Sequence, residues 1–188
     1  MNTRIKTALL ERFPGKDLGE AEHFLGCKIE RDWDNKTLKV TNTRHIDDLA
    51  KVFGQEDAKT VTVPMNNDLD LSSNGSAPYS NKHNYSSLIG SLLWISQSTR
   101  PDIAYSCSLL SRYLSCPTQN HWIAALKVLK YLKGTRTYGL VFGNAVENNG
   151  LNMVAYSDPN FAGDKEDSIS TYGYCFLLNG AAVSWCSK

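Results

Sequence analysis

The chain has 188 residues, 41% of them hydrophobic, 21% charged and 10% aromatic, an ordinary globular composition that excludes intrinsically disordered and fibrous classes. Twenty Lys and Arg against 19 Asp and Glu give a net charge of +1, so bulk charge selects no partner. That total hides an uneven distribution: residues 1–102 carry 13 basic and 14 acidic side chains, 103–146 carry five basic and none acidic, and 147–188 carry two basic and five acidic.

In chain order, Ile5, Leu9, Leu10 and Phe13 recur at helical spacing until Pro14-Gly15 stops them, which predicts a short amphipathic helix. Residues 23–30 read as one strand, Asp34-Asn35 as a turn, and 37–41 as a returning strand with Leu38 and Val40 alternating. Ile46, Leu49, Ala50 and Phe53 share a helical face ended by Gly54. Residues 60–84 turn to Pro, Asn, Ser, Gly and Asp and read as a flexible loop.

A helix is expected from Tyr85 to Gln97 on Leu88, Leu92 and Ile95, and a second from Pro101 to about Leu114. Pro101 suits the first helical position and Asp102 the helix dipole. Pro117-Thr118 introduces a third, whose stripe is Trp122, Ala125, Leu126, Leu129 and Leu132. After Gly134 the period becomes two. Strands are expected at 139–142, 151–157, 173–178 and 182–186, the last two joined by an Asn179-Gly180 hairpin. With no helical pattern after Lys188, the last sheet reads as an open-edged domain cut short.

The fold class expected is α+β: an N-terminal helix and β-hairpin, a central three-helix region, and C-terminal antiparallel strands. Five cysteines without a CxxC pair fit reduced thiols and an intracellular setting, in cytoplasm or nucleus. No segment reads as a secretory signal or a membrane span.

Lys127, Lys130 and Lys133 lie three apart on one side of the third helix, Arg136 follows on the turn, and Arg112 sits on the helix before. Five cations without a carboxylate form the electrostatic footprint of phosphate-backbone binding, against the alternative of a solvated lysine face. Asp158 closes an apolar strand, where a carboxylate can reach a hard cation such as Mg²⁺ held jointly with substrate phosphate. Asp164, Glu166 and Asp167 follow at irregular spacing and read as solvated. The four histidines lack metal-ligand spacing, and His121 reads as capping or packing. Hydrolase-elbow, Walker and dinucleotide motifs are absent.

The strings FLGCKIERD (24–32), YSSLIGSLLWISQSTRPDIAYSCSLLSRYL (85–114), HWIAALKVLKYLKGT (121–135), YSDPNFAGD (156–164) and YGYCFLLNGAAVSWCSK (172–188) resemble, in order, the C-terminal half of the copia-type retrotransposon polyprotein. The resemblance implies the end of a reverse transcriptase with its thumb and connection, followed by the start of a ribonuclease H domain. It divides the chain into the end of palm and a thumb-like region (1–64), a flexible loop (65–84), a helical thumb/connection region (85–135) and a truncated ribonuclease H-like domain (136–188).

It also implies that the family's polymerase aspartate pair lies upstream of the FLG block, since Asp47-Asp48 does not match that motif. Asp158 maps onto the first ribonuclease H carboxylate, a vestigial catalytic and metal-binding position. The family's remaining carboxylates would lie beyond Lys188. Mg²⁺ is expected for the intact family enzyme and none firmly for this chain, because two-metal cleavage needs several ligands. Two departures stand out: Asp158-Pro159-Asn160-Phe161 where the family has Asp-Ala-Asp-Trp, and acidic Glu166-Asp167 where it has basic residues.

The expectation is therefore a polyprotein fragment limited to binding an RNA–DNA hybrid or primer–template duplex. The alternative is a non-enzymatic interaction module, including self-association through an open sheet edge. A self-contained nuclease is the remote third reading.

Overall fold

The computed structural model describes residues 2–66, 71, 76–143, 152–160 and 170–188. Five helices and two antiparallel sheets make it α+β, as expected. Helix α1 (Asn2–Arg12) forms where the apolar spacing places it, with Ile5, Leu9, Leu10 and Phe13 all exposed.

The strand expected over 23–30 is instead two strands, β1 (His23–Phe24) and β2 (Cys27–Asp32), folded on each other. Leu25 and Gly26 between them both take positive φ, 49° and 80°, the geometry of a two-residue type I′ turn. Glycine favours that conformation; a leucine in it is what local pattern does not announce. β2 then pairs with β3 (Thr37–Thr41), and α2 (Thr43–Val52) follows, burying Ile46, Leu49 and Ala50.

The core lies among α2, α3 (Lys82–Ser98), α4 (Ala104–Ser111) and α5 (Gln119–Gly134). Tyr85, Leu88, Ile89, Leu92, Ile95, Leu110, Val128, Leu129 and Leu132 are fully buried; of the expected stripes Leu88, Leu92, Ile95, Ala125, Leu129 and Leu132 are buried, whereas Trp122 and Leu126 pack only partly buried against the core. α3 begins three residues earlier than expected because Asn81 caps it, its side chain accepting from the Asn84 backbone N–H at 3.1 Å. The second expected helix is shorter than its pattern. Pro101–Ile103 form a 3₁₀ turn before α4. Across the Thr118 cap, the Thr118 backbone N–H donates to His121 Nδ1 at 2.8 Å, so Nε2 carries the proton and donates to the Leu71 carbonyl at 2.7 Å. His121 thus both caps α5 and ties down part of the 65–84 segment, of which 67–70 and 72–75 lie outside the described residues.

Strand β4 (Gly139–Phe142) corrects the sequence reading more deeply. Expected as the first strand of the C-terminal sheet, it pairs antiparallel with β3, Leu38 opposite Phe142 and Thr41 opposite Gly139, in the order β1-β2-β3-β4. Gly139 permits this approach: a Cβ there would lie 2.1 Å from the Val40 carbonyl oxygen.

The second sheet is β5 (Met153–Asn160), β6 (Thr171–Leu178) and β7 (Ala181–Ser187), in that order. The Asn179-Gly180 turn forms as expected, φ 48° and 85°. Trp185 anchors this sheet to the helices by donating its indole N–H to the Ser96 carbonyl at 2.9 Å. β5 runs three residues beyond its expected end, through Pro159. Tyr172 exchanges both backbone hydrogen bonds with Lys188, so its neighbour Gly173 turns toward Asp158 on β5. By alternation, Met153, Ala155, Ser157 and Pro159 turn their backbone groups to the outer edge, where a missing N–H costs no ladder bond. None of the five cysteines pairs.

Candidate nucleic-acid interface

The five basic residues singled out in the sequence meet different fates. Arg112 follows α4 and borders a groove of about 290 Å³ with Tyr105, Ser108, Ser170, Thr171 and Lys188. Lys127 reaches the Asn66 side-chain oxygen, and Lys130 is half-buried on the same helix without a hydrogen bond or ion pair to any of the described residues. Lys133 is committed inward. Its ammonium donates to the carbonyls of Gln55 (3.2 Å), Glu56 and Ala58 (3.0 Å), knotting the end of α5 to the turn after α2. The Arg136 guanidinium meets the Asp47 carboxylate at 2.9 Å. The even lysine stripe is thus split: Lys127 and Lys130 remain on the surface of α5, while Lys133 and Arg136 hold α5 and its following turn to the α2 region.

Sequence reasoning passed over the outer face of α3. Ser87, Gly90, Trp94 and Gln97 are exposed there, Trp94 by 45%, and no charged residue occurs from 84 to 99. A Cβ on Gly90 would meet nothing within 4 Å, so no packing among the described residues demands the glycine. Gly costs a helix about 1 kcal/mol against Ala. The helix backbone at Gly90 is thus uncovered by side chain one turn before the exposed Trp94. Helical Gly followed by Trp four residues on was the available signal.

The two helix ends beside this surface are fixed by a polar network. Arg100, 1% exposed, grips Asp102 with two donors, Nε to Oδ1 at 2.9 Å and Nη2 to Oδ2 at 2.7 Å. The Tyr131 hydroxyl donates to the same carboxylate at 2.7 Å. Burial pushes the Asp102 carboxyl up, yet the Arg100 and Tyr131 hydrogen bonds outweigh it and hold the group below its ordinary value.

Asp158 lies on β5 opposite Gly173, exposed. It borders a groove of about 570 Å³ that also receives Asp102, Tyr105, Tyr156 and Trp185. Asp102 is the other carboxylate of that groove, and both its oxygens are taken by Arg100 and Tyr131. Among the described residues no three His, Cys, Asp or Glu side chains come together as a metal site. Among the described residues these two carboxylates are fewer ligands than a two-metal centre needs. Asp164, Glu166 and Asp167 lie outside the described residues. No described helix is long and apolar enough to cross a membrane.

The relatives of the chain define its class. It is 35% identical over 191 residues to the retrovirus-related Pol polyprotein from transposon TNT 1-94 of Nicotiana tabacum, covering 98% of this chain and 14% of that one. Against the retrovirus-related Pol polyprotein from transposon RE1 of Arabidopsis thaliana the identity is 36%, covering 96% of this chain and 12% of the relative. An uncharacterized mitochondrial protein of Arabidopsis thaliana is 31% identical, with 96% of this chain covering 72% of it. Along nearly its whole length the chain is thus similar to transposon-encoded, retrovirus-related Pol polyproteins, and it spans about an eighth of the length of the two it is compared with here. No protein-family model matches it, and no solved structure matches it.

Proposed function

We propose that this chain is a copia-type segment running from the end of the reverse transcriptase, through thumb and connection, to the start of the ribonuclease H domain. Its activity is binding of an RNA–DNA hybrid or primer–template duplex, without polymerisation or cleavage. The observations that carry the reading are two half-buried cations on α5, Lys127 and Lys130, with no carboxylate partner among the described residues, and an uncharged exposed Gly90–Trp94 face on α3, which packs in the same core. Cations neutralise phosphates regardless of sequence, and an uncharged face with an exposed ring suits sugar and base surfaces. The names of the relatives support the polyprotein setting.

The reading is tested by fluorescence anisotropy with a labelled RNA–DNA hybrid over a salt series. Binding should weaken as salt rises, and Lys127→Gln with Lys130→Gln should lower both affinity and salt slope. Unchanged affinity in low salt would remove the electrostatic basis. A parallel assay of Mg²⁺-dependent hybrid cleavage should show none; cleavage abolished by Asp158→Asn would make the chain a nuclease.

A further inference from the structure

At the tip of the β2–β3 hairpin, Arg31 of β2, Leu38 of β3 and Phe142 of β4 stand directly opposite one another across three strands. Residues so paired share one face of the sheet, giving the tip an apolar floor with a cation beside it. Trp33 rises next to them, 64% exposed, and a cavity of about 350 Å³ opens between the indole, Lys36, Leu38 and Phe142.

This tryptophan is held in place. Its indole N–H donates to the Glu20 carboxylate at 3.2 Å, and the Arg31 guanidinium carbon lies 4.9 Å from the ring centroid. The turn beneath is fixed as well. The Asp32 carboxylate takes the Asn35 backbone N–H at 2.9 Å and its side-chain amide at 2.7 Å, and Lys36 adopts a positive φ of 52°. Gly143 closes the floor; a Cβ there would come within 2.2 Å of the Lys36 carbonyl oxygen.

The charges at the rim sort by occupation. Glu20 is spent on the indole N–H and Asp32 on Asn35, with Asp34 the remaining acid of the turn. Arg31 and Lys36 have no carboxylate within ion-pairing distance among the described residues. An indole hydrogen-bonded through its N–H, over an apolar floor and flanked by two cations, matches a ligand with a flat ring and an attached anion.

We propose that this cup takes one unpaired nucleotide of a single-stranded extension, its base stacked at Trp33 and its phosphate met by Arg31 and Lys36. The inference rests on the nucleic-acid reading above and adds a second, separate site to it. Base–aromatic stacking contributes about 1–3 kcal/mol per base and is tolerant of sequence.

The experiment compares the full chain's affinity for a blunt RNA–DNA hybrid and for the same hybrid with a five-nucleotide single-stranded overhang, at one salt concentration. The overhang should tighten binding by about tenfold, the equivalent of ~1.4 kcal/mol. Trp33→Leu should erase that advantage while leaving blunt-hybrid affinity unchanged, and Arg31→Gln should reduce it. Both side chains are exposed, so the fold should survive, and circular dichroism of each variant checks this. Blunt hybrid binding with no gain from the overhang overturns the cup but not the hybrid interface. Binding of neither substrate overturns both. A gain that survives Trp33→Leu places the overhang elsewhere and also overturns the cup, as would preference for an aromatic peptide over the overhang in competition.

Discussion

Arg100 and Thr135, 35 residues apart in sequence, are joined by two hydrogen bonds from one buried guanidinium, 2.9 Å to the Thr135 carbonyl and 2.6 Å to its hydroxyl. Since the same guanidinium also grips Asp102, a single side chain fastens the turn before α4 to the end of α5. Arg100 therefore locks the end of α5, the helix that carries Lys127 and Lys130, to the turn that follows α3, the helix that carries Trp94. Arg→Lys at this position keeps a charge but loses the fork that serves four acceptors.

Arg100→Ala should destabilise the fold on the order of 3 kcal/mol, because the Thr135 carbonyl and Asp102 lose their partner in a largely buried site. Arg100→Lys should recover less than half of that. Urea denaturation checks both; a loss below about 1 kcal/mol in the alanine variant would show that the network is dispensable.

Stability should fall on the acid side through Asp102. Its folded carboxyl titrates below the ordinary 3.8, so its contribution is complete above that value and is lost as pH drops through the lower, folded value. Asp102→Asn should accordingly be less stable than the parent at pH 6, with the gap narrowing below pH 4. Melting curves from pH 6 to pH 2.5 decide this, and a gap constant across the range would contradict it.

Cys107 should be inert. Burial, reinforced by the nearby Asp102 charge, pushes its thiol up to about 12, and the side chain is inaccessible. Cys116, exposed, should react first with a thiol-specific reagent at pH 8, and Cys107 only on unfolding. Peptide mapping after a short pulse reads the order directly.

Lys133→Gln and the Lys127→Gln, Lys130→Gln pair should separate stability from binding. The Lys133 ammonium serves three carbonyls, so its loss should lower the melting temperature and alter the salt slope of hybrid binding little. The double variant should do the reverse, reducing the slope by up to about 0.9 for each phosphate that is no longer neutralised.

Pro159 should guard the outer edge of β5. Its position turns a missing N–H outward beside exposed Met153 and Tyr156, the kind of break that blunts edge-to-edge pairing. Pro159→Thr restores a donor there and should raise self-association, read by light scattering against concentration; an unchanged mass would contradict it.

Much of the fold was legible because its signals are local. The stripes of α2, α3 and α5, the Pro117-Thr118 start and the Asn179-Gly180 turn each depend on residues within a few positions of one another. Less was legible where one residue departs from type. Leu25 in a positive-φ turn split an expected strand in two, and the capping Asn81 moved the start of α3. The proposed interface was half visible: its cations stood out by composition, whereas Gly90 and Trp94 stand inside an apolar helix whose outer face cannot be told from its inner one until the neighbours are placed.

The sequence by itself determined which segments become helix or strand, the uneven spread of charge and the family to be expected, since these follow from side-chain period, backbone preference and residue identity. Only the tertiary structure decided that β4 returns to β3, about a hundred residues upstream, instead of joining β5, and that Lys133 turns to three carbonyls while Lys130 stays at the surface. Strand partners and ammonium partners are chosen by which groups the packed helices bring within 3 Å, and no local pattern carries that distance.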